Sequence, residues 1–112
     1  MSLGFIYLMR SERNGFYKIG FTKHTPQYRE KTLQSEEPEV WLVCFAHSFS
    51  DVEKDLHRYH ISKNKHIRGE WFALDLCDIL RIAKLFEEFE NIWSEDTKGR
   101  PETEAYKVGV LK

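Results

Sequence analysis

The sequence predicts a small α+β domain, a three-stranded and mainly antiparallel sheet flanked by helices. Three observations predict it. Two apolar stretches joined by Asn14-Gly15 form an opening hairpin. A near-continuous apolar run, Val40 to Ser48, supplies a third strand. A long apolar stripe at helical spacing, from Leu76 to Trp93, supplies a helix to cover the sheet. The chain has 112 residues, the size of one domain. Residues 3–94 are assigned to that domain. Residues 95–112 form a charged tail, either disordered or adding a short strand over Ala105 to Leu111.

The elements follow in order. Leu3 to Arg10 is apolar and aromatic, and reads as a strand. Ser11 to Gly15 is the turn, and Phe16 to Phe21 is the return strand. Thr25-Pro26 opens a helix that runs to about Ser35. Thr accepts an orphan backbone N–H, and Pro is preset for the first helical position. Val40 to Ser48 reads as a central strand buried on both faces. Ser50 with Glu53 three residues on fits a capping box, and the helix it opens ends near Ser62. Lys63 to Gly69 is a basic loop. Asp75 caps the last helix, whose inward residues are Leu76, Ile79, Leu80, Ala83, Phe86, Phe89 and Trp93.

Composition narrows the function classes. Apolar residues are 41% and charged ones 31%, the balance of a soluble globular protein. No run approaches the ~18 apolar residues of a membrane helix, and no secretion signal is visible. Cys44 and Cys77 lie far apart without a CxxC partner, as expected of free thiols in a reducing cytoplasm. Net charge is −1, which does not by itself announce a nucleic-acid binder. Its distribution says more. Phe5 to Gln34 carries six Lys/Arg against two acids, and Lys54 to Arg68 carries five against one. Gly69 to Asp96 carries eight acids against two bases. A basic front and an acidic rear suit a phosphate backbone on one side, although ordinary solvated faces also read this way.

Several residues have chemistry to offer. Tyr7 and Tyr17 lie on paired strands, and whether they share a face depends on register. Arg29 and Leu33 are one turn apart on one helix face. Leu33 should point at the sheet, drawing Arg29 inward toward a carboxylate or a substrate phosphate. Glu53 has a structural explanation in the capping box. With His57 one turn on, it also offers a carboxylate and an imidazole to a cation. Magnesium takes one or two carboxylates with waters and substrate oxygens, so one Glu suffices. Trp71 and Phe72 read as core anchors, while Glu70 has no clear assignment.

Together these residues resemble the GIY-YIG endonuclease superfamily. The first signature is Gly4-Phe5-Ile6-Tyr7 and the second Tyr17-Lys18-Ile19-Gly20. The helical Arg29 follows, then Glu53 with Leu56-His57. Last comes Arg68-Gly69-Glu70-Trp71-Phe72, similar to the closing signature of a phage, bacterial and meiotically up-regulated subfamily. The resemblance implies a divalent-metal-dependent endonuclease that hydrolyses phosphodiester bonds, with DNA favoured over RNA. It implies Tyr7 as general base or water-positioning group, Tyr17 as an orienting group and Arg29 as the stabiliser of phosphoryl charge. Glu53 would hold one Mg²⁺ or Mn²⁺. Lys18 and His57 are auxiliary candidates. Lys63, Lys65 and Arg68 are candidates for contacting nucleic acid at the rim. Leu33 stands where many members carry His, and a late Asn has no counterpart near Glu70. The alternative is a nucleic-acid-binding module with little turnover. In either case specificity comes from this domain, a homo-oligomer or a partner protein.

Overall fold

Turn chemistry closes the first hairpin. The computed structural model describes residues 3–96. Strands β1 (Leu3–Ser11) and β2 (Tyr17–Thr22) pair antiparallel. Between them the Gly15 N–H donates to the Ser11 carbonyl at 2.8 Å, and the Phe16 N–H to Asn14 Oδ1 at 2.9 Å. Gly15 sits at φ 76°, where a side chain would be strained. Helix α1 (Pro26–Gln34) starts as expected, with the Thr25 hydroxyl accepting the Tyr28 N–H at 3.3 Å.

Strand β3 (Val40–Phe49) pairs antiparallel with β1, but it is not central. The sheet order is β3-β1-β2-β5-β4, so β3 is an edge. Its apolar run survives there because side chains cover the open backbone. Gln34 Nε2 donates to the Val40 carbonyl at 2.7 Å. Glu30 Oε2 accepts the Leu42 N–H at 2.6 Å, and Glu90 Oε1 the His47 N–H at 2.7 Å. These bonds block pairing with another strand.

The sheet has five strands rather than three, and all its pairings are antiparallel. After helix α2 (Ser50–Ser62) come β4 (His66–Arg68) and β5 (Trp71–Phe72). Strands of three and two residues are too short to show alternation, so part of the expected basic loop is in fact strand. Gly69 turns the chain between them at φ 49°.

Helix α3 (Leu76–Asp96) opens on a reciprocal cap. Asp75 Oδ1 accepts the Asp78 N–H at 2.9 Å, and Asp78 Oδ2 accepts the Asp75 N–H at 3.0 Å. Its buried face is rotated from the expected stripe. Ile82 and Phe86 are buried, whereas Leu76 and Leu80 are 69% and 61% exposed. The helix also continues two residues past the expected boundary at 94. The Trp93 side chain and residues 97–112 lie outside what the structure describes, and with them the expected tail strand.

Two apolar clusters flank the sheet. On one face Ile6, Leu8, Ile19 and Phe72 meet Ile82 and Phe86, with Val52 and Leu56 of α2 against them. On the other, Phe5, Tyr7, Met9 and Phe45 pack with Leu33 of α1 and Trp71. α1 packs on β3 and β1, leaving this second face less covered over β2 and β5. Both cysteines are free thiols, and burial pushes Cys44 up to about 12.

Candidate active site

Strand parity decides which side chains meet. Tyr7 stands opposite Gly20, and Met9 opposite Lys18. Directly opposed residues of an antiparallel pair point the same way. Lys18 and Gly20 therefore share the face of Tyr7. Tyr17 stands opposite Arg10 and faces the other way.

Of the four residues to which the resemblance gives roles, Tyr17 therefore stands on the opposite face from Tyr7. Tyr17 packs against the cluster of Ile6, Leu8 and Phe72, with the Arg10 guanidinium 5.8 Å from its ring centre. The cause is one intervening residue. In Tyr-Ile-Gly the tyrosine stands two positions before the glycine. In Tyr17-Lys18-Ile19-Gly20 that position belongs to Lys18. The period-2 rule then carries Tyr17 to the far side.

Tyr7 is buried, and its ring lies over the backbone of Gly20. A Cβ at position 20 would fall 2.3 Å from the phenol oxygen. The phenol oxygen accepts a hydrogen bond from Arg29. Burial pushes the phenol above its ordinary pKa. The Arg29 bond opposes this, and the charges of Glu70 and Glu53 add to it. Arg29 arrives from α1, on the face that Leu33 anchors to the sheet, as its spacing implies.

Glu53 comes from α2 and is half-buried. The helix begins at Ser50 itself, one residue earlier than a Ser50 cap would place it. The N-cap is Phe49, with no side-chain cap hydrogen bond. The Glu53 carboxyl group makes hydrogen-bonding contact with Glu70. Burial first, and then the charge of Glu70, raise its pKa, while His57 and Lys18 pull the other way.

Glu70 is the residue that sequence reasoning left unassigned. Its carbonyl accepts the Ile19 N–H at 3.1 Å, and Lys18 Nζ lies 2.8 Å from its Oε1. Only the β2–β5 pairing reveals this, and β5 is two residues long. Lys18 also lies 5.8 Å from the Trp71 ring centre. His57 serves as a strut, its Nε2 donating to the Ile19 carbonyl at 2.7 Å.

The three basic residues expected at the rim separate. Lys65 is engaged internally, its ammonium pairing with Asp75 at 3.1 Å and with Asp78. Its job is to tie the chain before β4 to the start of α3. Lys63 lies 5.6 Å from the Tyr59 ring centre, beside a groove between α2 and α3. Arg68 is exposed and stands opposite Trp71, which stands opposite Lys18. A register shift between His66 and Arg68 interrupts that row. The groove itself, about 570 Å³, is walled by Val52, Leu56, Ile82 and Phe89 and contains none of the site residues.

The site thus brings Tyr7, Arg29, Glu53, Glu70 and Lys18 together from α1, α2, β1, β2 and the β4–β5 turn. Among the described residues no group of three or more His, Cys, Asp or Glu is arranged to hold a metal ion. The donor set still fits a hard cation of the magnesium kind. Such an ion needs only one or two carboxylates, and here two stand in contact.

Residues 4–87 match the T5orf172 domain. The chain belongs to the T5orf172 domain family. This domain is found in phage and bacterial nuclease-like proteins. The matched stretch of the T5orf172 domain runs from Gly4 in β1 to Glu87 in α3 and contains every residue of the site. No curated protein and no solved structure matches the chain.

Proposed function

We propose that this T5orf172 domain is a GIY-YIG type endonuclease that hydrolyses phosphodiester bonds, with DNA as its substrate and one Mg²⁺ or Mn²⁺ as its cofactor. One observation carries the reading. A buried phenol bonded to a guanidinium stands beside a carboxylate pair on the less covered face of the sheet. A domain that only bound nucleic acid would have no use for a buried phenol and paired carboxylates at one point.

Hydrolysis requires water to form a new O–P bond in line with the O–P bond that breaks. Negative charge grows on the phosphoryl oxygens meanwhile. Arg29 is the group to meet that charge, with a planar fork suited to two oxygens. Tyr7 orients the attacking water. Its raised pKa keeps the phenol protonated in the resting site, so it is poised to hold water rather than to deprotonate it. A cation at Glu53 would supply charge neutralisation to the leaving oxygen. Lys18 and Glu70 fix the floor of the site between β2 and β5. Arg68, exposed at the end of β4, would contact the strand beyond the cut.

The test is nicking of supercoiled plasmid with Mg²⁺ or Mn²⁺, beside Arg29→Ala and Glu53→Ala. Cleavage by the native chain that both substitutions abolish supports the reading. A gel shift with no cleavage under either ion makes the domain a binding module instead.

A further inference from the structure

We propose that Glu70 is the second protein ligand of the divalent cation held by Glu53, with Lys18 as the residue that positions it. This rests on the reading above, and it concerns a residue that the matched signature leaves without a role.

The argument begins with placement. Glu70 precedes β5, and its backbone is fixed to β2 by the bond from the Ile19 N–H. Its side chain therefore has a defined origin rather than a loop's freedom. Lys18 takes Oε1 at 2.8 Å, and a carboxylate so held still has lone pairs on its second oxygen. Across from it stands Glu53, in hydrogen-bonding contact and delivered by a different element.

Two carboxylates in contact repel unless a proton or a cation lies between them. A simple ion pair between Lys18 and Glu70 would not need Glu53 there. Tyr7 and Arg29 lie beside the pair, so an ion between the carboxylates adjoins the place where a phosphate would sit. Lys18 is buried with its ammonium on Glu70, which sets the angle of that carboxylate and leaves one side of it for the metal.

The experiment is calorimetric titration of Mn²⁺ into the full chain, with Mn²⁺ electron paramagnetic resonance as a second readout. Circular dichroism reports folding. Glu53→Gln and Glu70→Gln should each weaken Mn²⁺ binding at least about tenfold. Glu70→Gln should also change the bound-ion spectrum. Lys18→Met keeps both carboxylates, so it should still bind Mn²⁺ but with an altered spectrum, as expected of lost positioning. Glu70→Asp guards against a folding failure. Its shortened carboxylate should bind more weakly than the native one and still reach saturation.

Native affinity in both Glu70 variants, or a native chain that binds no Mn²⁺, overturns the proposal. Native nicking with Mn²⁺ affinity insensitive to position 70 sinks this assignment alone. Glu70-dependent Mn²⁺ binding in a native chain that cuts nothing upholds the ligand and sinks the nuclease reading.

Discussion

The phenol of Tyr7 rests on the bare backbone of Gly20, the residue directly across the β1–β2 pair. A methyl group at position 20 would fall 2.3 Å from both Cζ and Oη of that phenol. Here the glycine is required for space, not for turn geometry. Gly20→Ala should therefore displace the tyrosine, costing about 1–3 kcal/mol of stability through overpacking. Cleavage should fall far more than stability does. Chemical denaturation and plasmid nicking on the same preparation would show the split. An alanine variant with native cleavage would mean that the phenol's position is irrelevant to the chemistry.

The two tyrosines should behave oppositely. Tyr7→Phe removes the hydroxyl that Arg29 bonds, and should lower the cleavage rate by about 10²–10⁴-fold. Tyr17→Phe alters a ring on the far face of the sheet and should leave the rate unchanged. Single-turnover nicking kinetics distinguish them. Equal losses would contradict the strand register given above.

Glu53 makes the stability of the metal-free chain depend on pH. Burial, followed by the charge of Glu70, lifts its pKa above the ordinary value of about 4.3. The folded chain therefore holds a proton that the unfolded chain has released between those two values. Stability should fall as pH rises through that window, and the slope should flatten in Glu53→Gln. Urea midpoints at closely spaced pH values, with chelator present, measure it. Cleavage should show the matching acid limb, rising as Glu53 ionises, at a higher pH than an ordinary carboxylate would give. A slope unchanged by the substitution would remove Glu53 as its source.

Glu90 is a test of fold without function. Its carboxylate accepts the His47 N–H at 2.7 Å and lies 2.9 Å from His47 Nδ1, with both side chains buried. Glu90→Ala strips a backbone donor on the β3 edge of its partner and should cost about 1–3 kcal/mol. Once corrected for the folded fraction, nicking should be native, because Glu90 is not among the site residues. A specific loss of cleavage would tie the β3 edge to the chemistry.

Much of this was legible in the residues alone, and the failures have physical causes. The first hairpin and α1 with its Thr25 cap follow from local turn and cap chemistry. β4 and β5 were invisible because so few residues cannot display a period. Tyr17 was misplaced because one residue of register exchanges the two faces of a strand. Glu53 was found, although the helix begins at Ser50 itself, with Phe49 at the cap position. Glu70 and Lys65 depend on partners that only the folded sheet brings near.

The β4–β5 hairpin that carries Glu70 joins the sheet through two residue pairs, Tyr17 with Phe72 and Lys18 with Trp71. So narrow a seam leaves Lys65, clasping Asp75 and Asp78, as a mooring line from the hairpin's root to the last helix. Loosening that mooring would let one wall of the candidate site drift while the other stayed in register. Substitutions at the head of α3, distant from any bound strand, would then surface as defects in cutting.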